Sequence, residues 1–283
     1  MKHSRLLLFF FLTIFIQYTS GQKKVLLKNV MVPNKVYKAQ LINEMEMEMA
    51  IKGDSAMMAE METNGMKSPI TMLLKQDMLT TTKTGQQRPD KKIPLTVTYD
   101  KMDITTTIAG NEMNQPNPFA DVEIRGTTTG DGKISIDTIT GNINDAVKAS
   151  LRTMVNNIQG NIKFPEKELA IGDSFDQDVP LVVPVAQMQI KMKIHVKSTL
   201  KDIKDNKAIF DMKQDISLDM SMMDSNGNVN GNGNGTGIMI FDMKNKMLDR
   251  TESDIHYLLN MNTSGMTVSA KCKAKQSMTY SVE

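Results

Sequence analysis

The sequence predicts a mainly β protein: a curved antiparallel sheet, half-barrel-like, with one central amphipathic helix. Three observations lead there. Strand-like alternation of apolar and polar residues recurs along most of the chain, with Met188, Ile190, Met192, Ile194 and Val196 alternating with Gln and Lys residues and His195. Turn dipeptides such as Asn64-Gly65, Asp131-Gly132 and Asp205-Asn206 punctuate these runs. Near the middle, one segment switches to a helical period.

That segment organises the rest. Val147, Leu151, Met154, Val155 and Ile158 fall on one stripe at 3.6-residue spacing, with Lys148, Arg152, Asn156 and Gln159 opposite. Asn142 or Asn144 is placed to cap the start and Gly160 to end it, so a helix is expected over 142–160. A one-sided apolar helix must lie on apolar surface, and the flanks on both sides read as strands. The expected arrangement is therefore a helix cradled by sheet from both flanks. Residues 22–283 form a single β-rich domain in this reading, with halves 22–141 and 161–283 joined by the helix. The short match of Lys101-Met-Asp103-Ile104 to Lys213-Gln-Asp215-Ile216 hints at duplication.

The chain begins with Lys2 and Arg5, then an apolar run from Leu6 to Ile16, then small or polar residues to Gly21. This is the pattern of a secretory signal peptide over 1–21, and the run is short for a membrane helix. An exported protein, periplasmic or secreted and not membrane-spanning, is expected. Without residues 1–21 the chain loses two basic residues and no acid, so the formal net charge of +2 becomes zero. Nucleic acid as a partner loses its electrostatic basis. The single cysteine, Cys272, excludes an internal disulfide and sits at period 2 between Ala270 and Ala274, as a small buried hydrophobe would.

In chain order, strands are expected from Val36 to Ile51, where Met45, Met47 and Met49 alternate with Glu44, Glu46 and Glu48. After a Gly53-Asp54 turn, Met57, Ala59 and Met61 continue the alternation. Further strands are expected at 66–79 and 95–108, with loops at 84–94 and 110–118, and a hairpin joins 122–128 to 133–139. Beyond the helix come strands over 187–203, 208–220, 238–241, 250–259 and 266–282. The Gly/Asn tract at 225–237 reads as a flexible hairpin tip.

Phe164-Pro165 followed by Ile171-Gly172-Asp173-Ser174-Phe175, the Asp131-Gly132-Lys133 turn and Phe241-Asp242 resemble, in order, the signature of a family of exported bacterial proteins known only as a domain of unknown function. Members usually carry tryptophan at the position of Phe175, and this chain has none. The resemblance implies no activity. It implies an architecture similar to the half-barrel of periplasmic lipoprotein carriers.

Gly172-Asp173-Ser174-Phe175 also matches the start of a serine-hydrolase motif, but it stands mid-chain among strands, and Asp254-Ile255-His256 has the wrong spacing for its partner. A turn is the better reading, and no enzyme activity or cofactor is expected. The 26 methionines can be core filler in place of Leu and Val, as the exchange of Met188 and Met192 with Ile190 and Ile194 on one face suggests, which leaves a structural role in the envelope, or they can serve one of two kinds of binding. Deformable apolar walls suit a lipid-like ligand between helix and sheet, lined by Val147, Leu151, Met154, Ile158, Met188, Ile190, Met192 and Ile194. Alternatively, Met45, Met47 and Met49 are thioethers of the kind that hold Cu(I).

Overall fold

The computed structural model describes residues 23–63, 67–115, 117, 119–129, 133–145, 147–149, 151–152, 164–185, 188–221, 228–263 and 265–283. Residues 1–22, where a signal peptide is expected, and Met154, Ile158 and most of the expected helix over 142–160 lie outside these residues.

Among the described residues, fourteen strands and a short helix have defined bounds. The strands are β1 (Lys24–Val25), β2 (Val36–Gly53), β3 (Ile70–Thr84), β4 (Ile93–Ile108), β5 (Asn111–Gln115), β6 (Glu123–Thr128) and β7 (Ile134–Thr140). Then follow β8 (Leu169–Ala170), β9 (Ser174–Val185), β10 (Met188–Lys204), β11 (Lys207–Ser221), β12 (Asn228–Asp242), β13 (Met247–Thr263) and β14 (Met266–Val282). Helix α1 spans Ser55–Thr63. Residues 145, 147–149 and 151–152 are helical as well.

The main sheet has the order β7-β6-β4-β3-β2-β14-β13-β12-β11-β10-β9, with β5 on the outer side of β4, and every pairing is antiparallel. The two flanks of the chain therefore form one continuous sheet, joined where β14 pairs with β2. The chain leaves the centre at β2, walks outward to β7, crosses to the far edge at β9 and walks back to β14. An even number of antiparallel steps separates β7 from β9, so these edge strands point the same way. Two strands running in the same direction cannot be joined by a tight turn. They need a long crossover, which most often contains a helix. The helical segment after β7 meets that need.

Its start is built as the residues suggest. Asn144 caps it, its Oδ1 accepting from the Val147 N–H at 2.9 Å. Arg152 donates to the carbonyl oxygens of Ile136 at 2.8 Å and Asp137 at 3.2 Å, which ties the helix to β7. Leu151 is buried with Val122, Ile124 and Ile139, and Val147, Val97 and Tyr99 pack around them. Among the described residues the helix thus rests on the first flank alone, not on both.

The second core lies at the other edge of the same sheet face. Phe210, Leu200, Ala208 and Leu169 are fully buried there with Phe175 and Phe241. Phe175 meets Phe210 edge-on at 5.8 Å, and Phe164 meets Phe241 edge-on at 5.8 Å. The small β1–β8 sheet closes over this cluster through Val25 and Leu169.

Three local expectations are corrected. Residues 55–63 form helix α1 rather than a strand, because Asp54 caps them, its Oδ1 accepting from the Met57 N–H at 2.9 Å. Residues 111–115 of the expected 110–118 loop pair with β4 as β5. The Gly/Asn tract is not a hairpin tip. From Asn228 onward it is the body of β12, paired along its length with β11 and β13. Asn-Gly alternation has period 2, so it puts every glycine on one face of a strand as well as it makes a loop.

Candidate functional site

The sheet has two unlike faces, and alternation along each strand produces both. On one face, Glu44, Glu46 and Glu48 of β2 lie directly opposite Lys275, Lys273 and Lys271 of β14. These side chains are exposed. On the other face, Met45, Met47 and Met49 of β2 lie opposite Ala274, Cys272 and Ala270 on one side and Leu74, Met72 and Ile70 on the other. Met45, Met47, Met49, Met72 and Leu74 are half-buried, so this face is covered incompletely.

Side-chain size alternates from strand to strand across this apolar face. Small residues of β14 stand between large ones of β2 and of β13, where Ile255, Tyr257 and Leu259 face Ala274, Cys272 and Ala270. Glycines of β12 come next, with Gly233 and Gly235 opposite Tyr257 and Ile255. Large side chains therefore lie over small neighbours. Tyr257 reaches across β14 and donates its hydroxyl to the Met45 Sδ at 3.2 Å. Cys272, beneath it, is 2% exposed. Burial pushes both the Tyr257 hydroxyl and the Cys272 thiol above their ordinary pKa values, so Cys272 stays a thiol at neutral pH. This fits the small-hydrophobe reading of Cys272.

A polar row interrupts the apolar face. Gln76, Asn43, Gln276 and Ser253 stand side by side on β3, β2, β14 and β13. Gln214 of β11 joins them across the glycines of β12, its Nε2 donating to the Ser253 Oγ at 3.0 Å. No charged side chain belongs to the row. A hollow of about 780 Å³ crosses β2, β14, β13, β12 and β11 at this level, but on the opposite face, where Glu44, Lys213, Asp254 and Lys275 line it.

The expected ligand wall divides between the two edges. Val147 and Leu151 pack together at the β7 edge. Met188, Ile190, Met192 and Ile194 stand on β10, next to the opposite edge. Ile194 is half-buried opposite Ile216, and the side chains of the other three lie outside the described residues. Of the methionines considered for copper, Met45, Met47 and Met49 share a face but are spaced about 7 Å apart along one strand. Met47 does have sulfur neighbours on both sides, Cys272 and Met72.

The Gly172-Asp173-Ser174 motif is a turn. Gly172 has φ +94° and donates its N–H to the Leu200 carbonyl at 2.8 Å. The Asp173 carboxylate accepts from the Ala170 N–H at 2.9 Å. The Ser174 hydroxyl pairs with the Thr199 hydroxyl at 2.8 Å, not with a histidine. The nearest histidine to this edge, His195, is held in a surface ion cluster. Its Nδ1 lies 2.8 Å from Asp178 and its Nε2 lies 3.2 Å from Asp176.

The hydrogen bond to Asp178, with the nearby carboxylate charges, raises the His195 pKa above 6.5, and His195 and Lys193 lower that of Asp178. The His195 contribution to holding β9 on β10 is therefore complete below about pH 6.5 and lost as pH rises through the folded value. The Asp178 contribution is present above its ordinary range near 3.8 and is lost in acid. Exposure keeps both small. In an NMR titration, His195 is expected to titrate above 6.5, and Asp178→Asn should lower its midpoint more than Asp176→Asn. An unshifted midpoint in the unaltered protein would dismiss the cluster.

No protein-family model matches the chain, and no curated protein matches it. Solved structures to which it is similar include a mutant porin of Rh. blastica, at 6% identity over 84% of this chain and 99% of that one, TM-score 0.26. OccK7 (OpdD) of Pseudomonas aeruginosa matches at 6% over 87% and 99%, TM-score 0.26. The outer membrane protein OprG of Pseudomonas aeruginosa matches at 8% over 90% and 98%, TM-score 0.16.

One expectation is corrected here. The chain was expected not to span a membrane because no apolar run after the first is long enough. Among the described residues no helix is long and apolar enough to cross a membrane, but that criterion says nothing of strands. One of the solved structures to which the chain is similar is an outer membrane channel from Pseudomonas putida F1, at 7% identity and TM-score 0.20.

Proposed function

We propose that this chain is an exported, non-enzymatic protein of the cell envelope that binds lipid-like apolar molecules on the methionine-rich face of its sheet. The reading keeps the resemblance to exported bacterial proteins described above. One observation supports it most: methionines and small or aliphatic residues share one face from β3 through β2 and β14 to β13, behind the Glu and Lys rows of β2 and β14, and that face is left half-covered. Incompletely covered apolar surface of this extent marks an interaction site. Unbranched methionines adapt their shape to chains of differing length and kink, which branched side chains do less well. The opposite face, with its paired Glu and Lys rows, suits water or lipid headgroups.

The test is native mass spectrometry of protein purified from its own host, with an organic extract of the same sample. A lipid adduct is expected, lost in Met47→Lys and retained in Glu46→Lys on the other face. An adduct-free mass together with a lipid-free extract would overturn the reading. A copper adduct in place of lipid would favour Met47, Cys272 and Met72 as ligands instead.

A further inference from the structure

We infer that the Asn230-Gly231, Asn232-Gly233 and Asn234-Gly235 bonds of β12 are deamidation sites which the sheet holds inert, and that reaction at one of them speeds reaction at the others. The chemistry needs only water. The glycine nitrogen attacks the asparagine side-chain carbonyl carbon. A new C–N bond forms, the bond to Nδ2 breaks, and ammonia leaves. Water then opens the five-membered ring to aspartate or to isoaspartate. Glycine hinders the attack least, because it has no Cβ.

Pairing blocks this step in the folded chain. β12 is matched residue by residue with both β11 and β13 from Asn228 to Ile240. Each glycine N–H is therefore directed, in the plane of the sheet, to one neighbour or the other. The side chains of Asn230, Asn232 and Asn234 are exposed and stand out of that plane. Nitrogen and carbonyl carbon meet only where the pairing opens. Packing, in turn, keeps the vulnerable dipeptides in place. A Cβ on Gly233 would lie 2.4 Å from the Tyr257 Cβ, and one on Gly235 would lie 2.9 Å from the Asp254 carbonyl oxygen. A larger residue would slow the reaction, but neither position has room for one.

The products sit badly in the sheet. Asn234 lies directly opposite Asp215 of β11 and His256 of β13, and His256 already faces Asp254 at 3.2 Å. Deamidation at 234 sets a second carboxylate against Asp215. Asn230 stands opposite Asp219 in the same register. Like charges directly opposite one another weaken a strand pair. Isoaspartate does more damage, because it lengthens the main chain and displaces the residues beyond it from their register. Each reaction loosens β12 from β11 and exposes the sites that remain.

The experiment holds the full exported protein in mildly alkaline buffer, with or without guanidinium chloride, and follows each asparagine by peptide mass spectrometry. All three sites are expected to react at least about a hundredfold more slowly in buffer than in guanidinium, because an interior strand opens rarely. A ratio below about tenfold at any of them would overturn the protection. In buffer, Asn234→Asp should raise the rates at Asn230 and Asn232 about two- to fivefold, the change in open population that one opposed like-charge pair produces. Asn234→Ala should leave them unchanged. Adding Asp215→Asn to Asn234→Asp should restore the unaltered rates. In guanidinium none of these substitutions should matter. Equal rates in Asn234→Asp and Asn234→Ala, or an acceleration that survives Asp215→Asn, would overturn the coupling between sites.

Discussion

Gly233→Ala is expected to destabilise the protein by about 3 kcal/mol, whereas propensity alone predicts the opposite sign. Alanine in place of glycine removes freedom from the unfolded chain and usually stabilises by roughly 0.4–1 kcal/mol where the backbone tolerates it. Gly233 has no positive φ that would forbid a side chain. What forbids it is space. A Cβ there would lie 2.4 Å from the His256 carbonyl oxygen, 2.4 Å from the Tyr257 Cβ and 2.8 Å from the Tyr257 Cα. These are atoms of a central strand, not the end of a flexible side chain. The strand must shift, and overpacking of this kind costs ~1–3 kcal/mol or more. The shift would also move Tyr257 away from Met45 and uncover Cys272. Asn234→Ala, one residue along on the exposed face, should stay within ~0.5 kcal/mol. Urea unfolding of the three proteins measures the difference. If Gly233→Ala were neutral, β12 would not lie against β13 at Tyr257 as described.

The same tract shows where the sequence misleads. Glycine and asparagine are both turn formers, so their density suggests a loop. Their period of 2 was the better signal, since it separates a glycine face from an asparagine face. What cannot be read locally is the neighbour that needs the glycines, because Tyr257 belongs to the next strand and meets Gly233 only through register. The strands with long alternation, β2, β10, β11, β13 and β14, were legible because one face was plainly wet. The turn at Asp205-Asn206 was legible too, and both residues have positive φ, at 51° and 60°. Helix α1 was hidden by Met57, Ala59 and Met61, whose spacing suits a strand, and only the Asp54 cap favours helix. The polar row was not legible at all. Gln76, Asn43, Gln276, Ser253 and Gln214 are scattered over the chain and meet through register.

Phe210→Ala is expected to cost about 3–5 kcal/mol, the most of any single change considered, against a total stability of ~5–15 kcal/mol for a typical protein. Phe210 is 0% exposed and stacks edge-on with Phe175, and the cavity left would be walled by Leu200, Met239 and Phe241, none free to collapse far. The loss should spread in one direction. Phe175 belongs to the Gly-Asp-Ser-Phe turn, so the β1–β8 cover should loosen, with faster hydrogen exchange at Val25 and Leu169. The cluster under the helix shares no residue with this core. Leu151→Ala should cost ~2–5 kcal/mol by itself and leave the exchange of Leu169 unchanged. Milder changes, Phe210→Leu and Leu151→Val, keep a double variant folded, and separate clusters should make their costs add to within ~0.5 kcal/mol. A coupling of 1 kcal/mol or more would mean that the helix touches both cores. The crossover would then bridge the two edges of the sheet, and the face between them would be a closed interior rather than a surface open to lipid.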